Sequence, residues 1–286
     1  MRNFFTQIGV YTPTLSREQK GQTMILSHSV ALVTGASSGI GQATAELLAT
    51  KGFTVFGTSR SPHQNAGSST WVPLDVRSDA SVQAAIQSVL EQVGRIDVLV
   101  NNAGYAQVGA IEESSVAEVQ AQFDTNLFGA IRMIQAVLPA MRQQGKGRIL
   151  NVSSALGQVA PPYAGVYATS KFALEGLTEA LREEVRPFGI TVSLVAPAFV
   201  KTHLVNQEPT TPISAYTMGR HTALQAASTG IERGVEPSVV AQVILRALRS
   251  SQPRLRYVVG RDAKVLLLLK RLLPEALFEQ VKRRVF

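Results

Sequence analysis

The sequence VALVTGASSGIG, residues 30–41, decides the fold class of this 286-residue chain. Four of its first five residues are apolar, which is typical of a strand buried on both faces of a sheet. A glycine-rich turn follows, and the apolar residues of 43–49 predict a helix that ends at Gly52. These elements direct backbone N–H groups and the positive helix end towards a phosphate. The segment predicts an α/β protein with a nucleotide site, and a tight turn in any α/β protein is the alternative.

A second predicted strand, residues 53–59, ends at Arg60, and no acid stands between residues 58 and 64. An acid at this position would accept hydrogen bonds from a ribose 2′-hydroxyl, whereas a cation suits a 2′-phosphate. The sequence therefore favours NADP(H) over NAD(H), with a solvated surface arginine as the alternative.

Two further predicted strands end in polar residues. A short third strand leads into Asp75 and Val76, and a fourth, residues 96–100, leads into Asn101 and the residues up to Gly104. Small polar residues at this position let a ligand approach the backbone closely.

Tyr167 and Lys171 are four residues apart, which places them on one face of a helix. A neighbouring cation favours the phenolate, so we expect a lowered pKa at Tyr167. Such a phenol can give a proton to an alkoxide that forms from a ketone, or take one from an alcohol. Ser153 and Ser154 lie thirteen to fourteen residues upstream.

The order and spacing of six motifs resemble the short-chain dehydrogenase/reductase family over roughly residues 28–260. The motifs are TGASSGIG (34–41), LDV (74–76), NNAG (101–104), TNLFG (125–129), VSS (152–154) and YATSK (167–171). The resemblance implies a single-domain α/β fold of the Rossmann type, doubly wound, with a mostly parallel sheet of about seven strands and helices on both faces. It also implies a nicotinamide cofactor.

The resemblance further implies a catalytic group of Asn126, Ser154, Tyr167 and Lys171. Tyr167 is then the general acid or base, and Lys171 lowers its pKa and binds the nicotinamide ribose. Ser154, favoured over Ser153 by its spacing, holds the substrate oxygen, and Asn126 helps to hold a water that passes protons to Lys171. Without the resemblance, Asn126 would be interpreted as a polar residue that satisfies the backbone at a helix kink.

The cofactor contacts that we predict come from the ends of the strands. They are Gly35, Ser37, Ser38, Gly39, Ile40, Gly41, Arg60, Asp75, Val76, Asn102, Ala103, Gly104, Tyr167, Lys171, Pro197, Val200 and Thr202. The chain departs from the family pattern at Ala198, where glycine is usual. Alanine can replace that glycine only if its φ is negative.

We expect residues 1–26 to be a flexible N-terminal extension, or to precede a native start at Met24. Residues 27–260 form the predicted catalytic domain, and residues 198–235, which are mixed in composition, are interpreted as a long loop that forms a substrate lid. His203 and His221 lie in this segment without acidic partners at ligand spacing, so no metal is predicted.

The tail, residues 261–286, is predicted to be basic and helical. From Arg254 onwards the chain has nine Lys/Arg and three Asp/Glu, which accounts for +6 of its net charge of +8. An amphipathic helix of this kind can lie on an anionic membrane, or pack on the protein itself or at a subunit interface. We favour packing. The stretch lacks interleaved aromatics, which disfavours nucleic acid as a partner.

Composition agrees with a globular enzyme, because 45% of the residues are hydrophobic and no apolar run reaches the ~18 residues of a membrane span. The absence of cysteine excludes disulfides and thiolate chemistry and is compatible with a cytoplasmic protein. We expect a homodimer or homotetramer that acts on an apolar, steroid-, retinoid- or lipid-like ketone or aldehyde. The alternative function is a redox-sensing regulator that binds the cofactor without turnover.

Overall fold

A computed structural model describes residues 28–61, 69–202, 204 and 206–285 of the protein. The predicted extension, residues 1–26, lies outside the described residues, and so does His203. The described part of the chain contains nine strands. They are β1 (Val30–Val33), β2 (Thr54–Ser59), β3 (Thr70–Pro73), β4 (Val98–Asn101), β5 (Ala106–Gln107), β6 (Gly147–Val152), β7 (Ile190–Pro197), β8 (Asn206–Gln207) and β9 (Arg256–Val259).

Nine α-helices lie within the same residues. They are α1 (Gly39–Thr50), α2 (Asp79–Val93), α3 (Val116–Phe123), α4 (Gly129–Gln143), α5 (Gly165–Val185), α6 (Thr217–Glu232), α7 (Pro237–Arg249), α8 (Arg261–Leu272) and α9 (Glu275–Val285). A π-helical turn, Asp124–Phe128, joins α3 to α4 without a break.

Seven strands form one parallel sheet in the order β3-β2-β1-β4-β6-β7-β9. The order runs outward from β1 in both directions, which is the doubly wound arrangement that the sequence predicted. All seven strands therefore end at one edge, where their following loops meet.

Successive residues of the strands feed two separate cores because side chains alternate across a sheet. Val30 and Leu32 face the core that α2, α4 and α5 cover, whereas Ala31 and Val33 face the core that α1 and α7 cover. Buried on both faces, the strands contain almost only apolar residues. The predicted single α/β domain with helices on both faces is confirmed.

Residues 198–235 differ from the loop that the sequence predicted, because they contain the 16-residue helix α6. A parallel pair between β5 and β8 ties this segment to the rest of the chain, and a bridge between Val200 and Val235 joins its two ends. Within the described residues, no helix combines the length and the apolar character that crossing a bilayer requires.

Candidate active site

The glycine-rich turn at the end of β1 has a backbone that only glycine adopts readily. Gly35 and Gly39 have φ values of +63° and +55°. A Cβ at Gly41 would lie 2.2 Å from the carbonyl oxygen of Gly35, so the first turn of α1 folds tightly against the loop. These three positions explain the spacing G-x-x-x-G-x-G.

Asn102 and Thr34 hold this turn in place by hydrogen bonds. The Asn102 amide Nδ2 donates to the carbonyls of Thr34 (3.0 Å) and Gly35 (3.1 Å). The Thr34 hydroxyl accepts from the backbone N–H groups of Asn102 (2.9 Å) and Ala103 (3.0 Å). The Asn102 side chain therefore shapes the loop, and the backbone of residues 102–104 faces the edge of the sheet.

The turn and its surroundings fit a dinucleotide. Ser38 precedes α1 without a side-chain cap, which leaves the first N–H groups of the helix available to a phosphate. At the end of β2 the Ser59 hydroxyl is buried without a partner among the described residues, and Arg60 beside it is exposed. A hydroxyl and a guanidinium at this position suit a ribose that carries a phosphate.

Asp75 and Val76 follow β3 at the same edge. Asp75 forms a two-pronged ion pair with Arg77, at 2.6–3.2 Å. The hydrogen bond from the Arg77 side chain and, to a smaller extent, the charge of Arg60 lower the pKa of Asp75 to about 2, although burial opposes them. Val76 packs against Gly129, where a Cβ would lie 2.7 Å from the valine Cγ2.

The loop after β7 accepts alanine where the family has glycine. Among the described residues other than glycine, only His28 and Tyr163 have a positive φ, so Ala198 has the negative φ that the substitution requires. Its N–H donates to the carbonyl of Val259 (2.9 Å). Beyond it, Thr202 reaches the glycine turn, since a Cβ at Gly39 would lie 2.9 Å from the Thr202 methyl group.

Tyr167 and Lys171 lie on α5, which packs along β7. The Lys171 Nζ is 5.8 Å from the centre of the Tyr167 ring and donates to the carbonyl of Val152 (2.9 Å) at the end of β6. Lys171 is 5% exposed. Burial lowers its pKa to about 8, although the nearby Glu175 raises it.

The pKa of Tyr167 departs from the sequence prediction. Burial raises the pKa of the Tyr167 hydroxyl above its ordinary value, and the interaction with the Ser154 side chain only partly opposes this. The predicted direction was therefore wrong for the protein alone. The physical reason is that burial disfavours the charged phenolate. The Lys171 ammonium is directed to the carbonyl of Val152.

The structure distinguishes the two serines that follow β6. Ser154 precedes a 3₁₀ turn, accepts the N–H of Leu156 (3.1 Å) and interacts with the Tyr167 hydroxyl. The Ser153 hydroxyl is buried against Gly157 and has no partner among the described residues. Ser154 is therefore the serine beside Tyr167.

Asn126 lies in the π-helical turn and is 2% exposed. Its Oδ1 accepts the N–H of Tyr105 (3.1 Å), and its Nδ2 donates to the Tyr105 carbonyl (3.0 Å) and the Ser170 hydroxyl (3.1 Å). The side chain thus joins the loop after β4 to α5. π-turns inside helices are frequent at functional sites.

A small cavity lies behind Lys171. The cavity has a volume of about 10 Å³ and is lined by Thr34, Asn101, Asn126, Val152 and Lys171. The Asn101 Oδ1 is buried and has no partner among the described residues. The space and this free acceptor suit one water molecule.

Glu175 is a neighbour of Lys171 that sequence reasoning missed. It lies one helical turn beyond Lys171 and is 5% exposed. Its Oε2 accepts from the Arg256 Nε (2.6 Å) of β9, whereas its Oε1 has no partner among the described residues. The spacing of Tyr167, Lys171 and Glu175, four residues each, was the available signal.

Residues 198–235, the predicted lid, are tied to the loop after β5 by a buried ion pair. Glu113, in the loop after β5, pairs with Arg220 of α6, and both are buried. Glu113 also accepts the N–H groups of Ile213 (2.9 Å) and Ala110 (3.0 Å). Burial alone would raise the pKa of Glu113, but these hydrogen bonds outweigh it and lower the pKa.

Tyr163 and Tyr105, the other local tyrosines, flank the site without a lysine partner. The Tyr163 ring packs against Gly219 of α6, and its carbonyl accepts the N–H of Gly109 (2.7 Å). Burial raises the pKa of Tyr105. Over the described residues, no three His, Asp or Glu side chains come together in a group that could hold a metal ion.

A family model described as short chain dehydrogenase matches residues 29–212, which is more than half of the chain. The protein belongs to the short-chain dehydrogenase/reductase family. This dehydrogenase is therefore an oxidoreductase that acts on a small molecule with a nicotinamide cofactor, NAD(H) or NADP(H).

Two relatives have names that refer to a 3-ketodihydrosphingosine and a 17-beta-hydroxysteroid. The dehydrogenase is 38% identical to a 3-ketodihydrosphingosine reductase from Bacteroides thetaiotaomicron, over 83% of this chain and 90% of the relative. It is 37% identical to the human 17-beta-hydroxysteroid dehydrogenase type 1, over 81% of this chain and 77% of the relative.

Solved structures share the fold. A short-chain dehydrogenase from Streptomyces avermitilis matches with a TM-score of 0.75 and 34% identity, over 90% of this chain and 98% of that one. A Burkholderia phymatum short-chain dehydrogenase/reductase in complex with NAD matches with a TM-score of 0.77 and 27% identity, over 86% and 94%.

Proposed function

We propose that this dehydrogenase transfers a hydride between NADP(H) and a carbonyl or alcohol group of an apolar, steroid-, retinoid- or lipid-like substrate. The observation that carries the proposal is the meeting of Tyr167, Ser154 and Lys171 with the glycine turn at one edge of the sheet. The names of the relatives, which refer to a ketosphingoid and a hydroxysteroid, favour an apolar substrate.

The cofactor supplies or accepts the hydride, and the residues of the chain manage the proton. In reduction, the Tyr167 hydroxyl donates its proton to the substrate oxygen, and in oxidation it accepts one. The raised pKa of Tyr167 keeps it protonated, the form that reduction requires. The Ser154 hydroxyl holds the same substrate oxygen and stabilises the charge that develops on it.

Lys171 and Asn126 support this proton transfer. We assign Lys171 to the nicotinamide ribose, with its ammonium near Tyr167 favouring the phenolate once the proton leaves. The cavity beside Lys171 would hold the water that passes a proton to it, and Asn126 fixes one wall of that cavity.

NADP(H) is preferred over NAD(H) in this proposal because β2 ends at Ser59 and is followed by Arg60, with no acid between residues 58 and 64. The remaining cofactor contacts are the predicted ones at the strand ends, from Gly35 to Thr202. We also propose a cytoplasmic homodimer or homotetramer. Phe128, Phe172 and Phe188, 41–45% exposed near α4 and α5, are available for such an interface.

The test is a panel of steroid ketones, ketosphingoid bases, retinal and small aldehydes, with nicotinamide absorbance as the readout. Wild-type protein should oxidise NADPH with an apolar carbonyl. Tyr167→Phe should lower kcat by about 10²–10⁴-fold with NADPH binding retained, and Tyr105→Phe is the matched control. NADPH binding without turnover of any substrate by the wild type would favour the redox-sensing regulator instead.

A further inference from the structure

Helix α8 has an inner face that is fixed to the body of the protein. Ala263 is 2% exposed. The Lys270 Nζ donates to the carbonyl of Gln158, in the loop after β6, and lies 5.5 Å from the centre of the Phe172 ring on α5. The orientation of α8 is therefore set by contacts on this side.

The outer face of α8 carries an apolar stripe. Val265, Leu268 and Leu272 are 56%, 54% and 67% exposed. At 3.6 residues per turn they line up along one side of the helix, nearly opposite Ala263 and Lys270. Packing on the protein therefore accounts for the inner face, whereas the side chains of the stripe stay more than half exposed among the described residues.

Basic residues accompany the stripe. Arg261, Lys264 and Arg271 are exposed and form no ion pair with a side chain that the structure describes. Lys264 and Arg271, seven residues apart, form a row beside the stripe. Residues 261–286 contain seven Lys/Arg and three Asp/Glu, a net charge of +4.

We propose that α8 docks this dehydrogenase on an anionic lipid surface. Val265, Leu268 and Leu272 would enter the boundary between head groups and acyl chains, and the row of Lys264 and Arg271 would lie among anionic head groups. An apolar stripe with flanking cations is the pattern of helices that lie in the plane of a membrane. Each cation near such a surface adds to the attraction.

Charge argues against the two other occupants of this face. A second copy of the chain, placed by a two-fold axis, would bring Arg261, Lys264 and Arg271 towards the same cations of its partner. Residues 1–27 carry three Lys/Arg and one Glu, so they have the same sign as the tail. A negatively charged lipid surface complements the stripe and the cations together.

The experiment is sedimentation of the full-length protein with vesicles of phosphatidylcholine alone and of phosphatidylcholine with phosphatidylserine at about three to one. Wild-type protein should sediment with the anionic vesicles, and added salt should release it. Two triple variants should each bind about tenfold or more weakly: Val265→Gln with Leu268→Gln and Leu272→Gln, and Arg261→Gln with Lys264→Gln and Arg271→Gln.

The control is Val116→Gln with Val239→Gln, which removes exposed apolar side chains from α3 and α7 and should bind as the wild type. Circular dichroism and NADPH binding check that each variant folds. Equal sedimentation with both vesicle types, none with either, or unchanged binding of the stripe variant would overturn the proposal. So would a loss of oligomer mass by light scattering in the stripe variant. Because sedimentation needs no turnover, the result is independent of the proposed reaction.

Discussion

The glycine turn after β1 and residues 198–235, the predicted lid, are held in place by different kinds of interaction. The turn is built from residue types that stereochemistry demands, with positive φ at Gly35 and Gly39 and no room for a Cβ at Gly41. The lid is held by ordinary residues, above all the ion pair of Glu113 and Arg220, which are 107 residues apart. Glycines that the backbone geometry requires can be recognised in a single sequence, whereas an ion pair between two residues far apart in the chain cannot.

The comparison predicts that the lid can be released without damage to the nucleotide site. Glu113→Gln leaves the buried Arg220 guanidinium with only the more exposed Glu208 (3.3 Å) as a counter-charge, which is strongly unfavourable. We expect KM for the carbonyl substrate to rise by about 100-fold and trypsin to cleave within residues 198–235. The dissociation constant of NADPH, measured by fluorescence, should stay within about twofold.

Two variants control this result. Glu112→Gln changes the adjacent exposed glutamate, which bonds Tyr216, and should have a small effect. Glu113→Gln combined with Arg220→Met removes both buried charges and should recover part of the loss. If Glu112→Gln and Glu113→Gln raised KM equally, the buried pair would not be what holds the lid.

A substitution in the glycine turn should have the opposite effect and weaken NADPH binding. Gly41→Ala places a Cβ 2.2 Å from the Gly35 carbonyl oxygen and 2.5 Å from the Asn102 Nδ2, so the loop must shift. We expect a loss of about 1–3 kcal/mol in the free energy of unfolding, with weaker NADPH binding, measured by urea denaturation and fluorescence titration. Gly176→Ala, in α5 with nothing within 4 Å, should instead stabilise by about 0.5–1 kcal/mol. Equal responses to the two alanines would remove the steric argument.

Sequence reasoning located the first four strands of the main sheet, β1 to β4, because apolar residues are followed there by turn or polar signals, and the family resemblance supplied the count of about seven. It missed β5 and β8, since two residues are too few to show alternation. It also missed α6, because that helix buries few apolar residues and has no stripe to recognise. At the site, the four-residue spacing identified Tyr167 and Lys171. The hydrogen-bond partners of Lys171 and Glu175, which are Val152 and Arg256, come from distant strands and left no local pattern in the sequence.

The choice between NADPH and NADH tests the role of one residue, Arg60, at the end of β2. Arg60→Ala removes the exposed cation at the end of β2 and should weaken NADPH binding by about tenfold, because a charge-assisted hydrogen bond to a phosphate is lost. NADH binding should stay within about twofold, and Arg246→Ala, on the exposed side of α7, should change neither. Equal weakening of both nucleotides would remove the NADP(H) assignment.

The smallest effect concerns Lys171, which depends on both local and distant residues. Helix α5 sets its spacing from Tyr167, and Arg256 of the distant strand β9 holds its neighbour Glu175 in place. The pKa of Lys171 is about 8 and that of Tyr167 is raised, so Lys171 is the first of the two to lose its proton as pH rises. The kcat/KM for NADPH should therefore fall above about pH 8.

Glu175→Gln removes the charge that raises the pKa of Lys171, so the fall in kcat/KM should begin at lower pH, by up to about one unit. Glu179→Gln is the matched control, because Glu179 also pairs with Arg256 (3.3 Å) but does not affect Lys171. If both variants moved the profile equally, the shift would come from a displaced Arg256. A shift with Glu175→Gln alone would mean that the carboxylate one turn beyond Lys171 controls the protonation of this lysine.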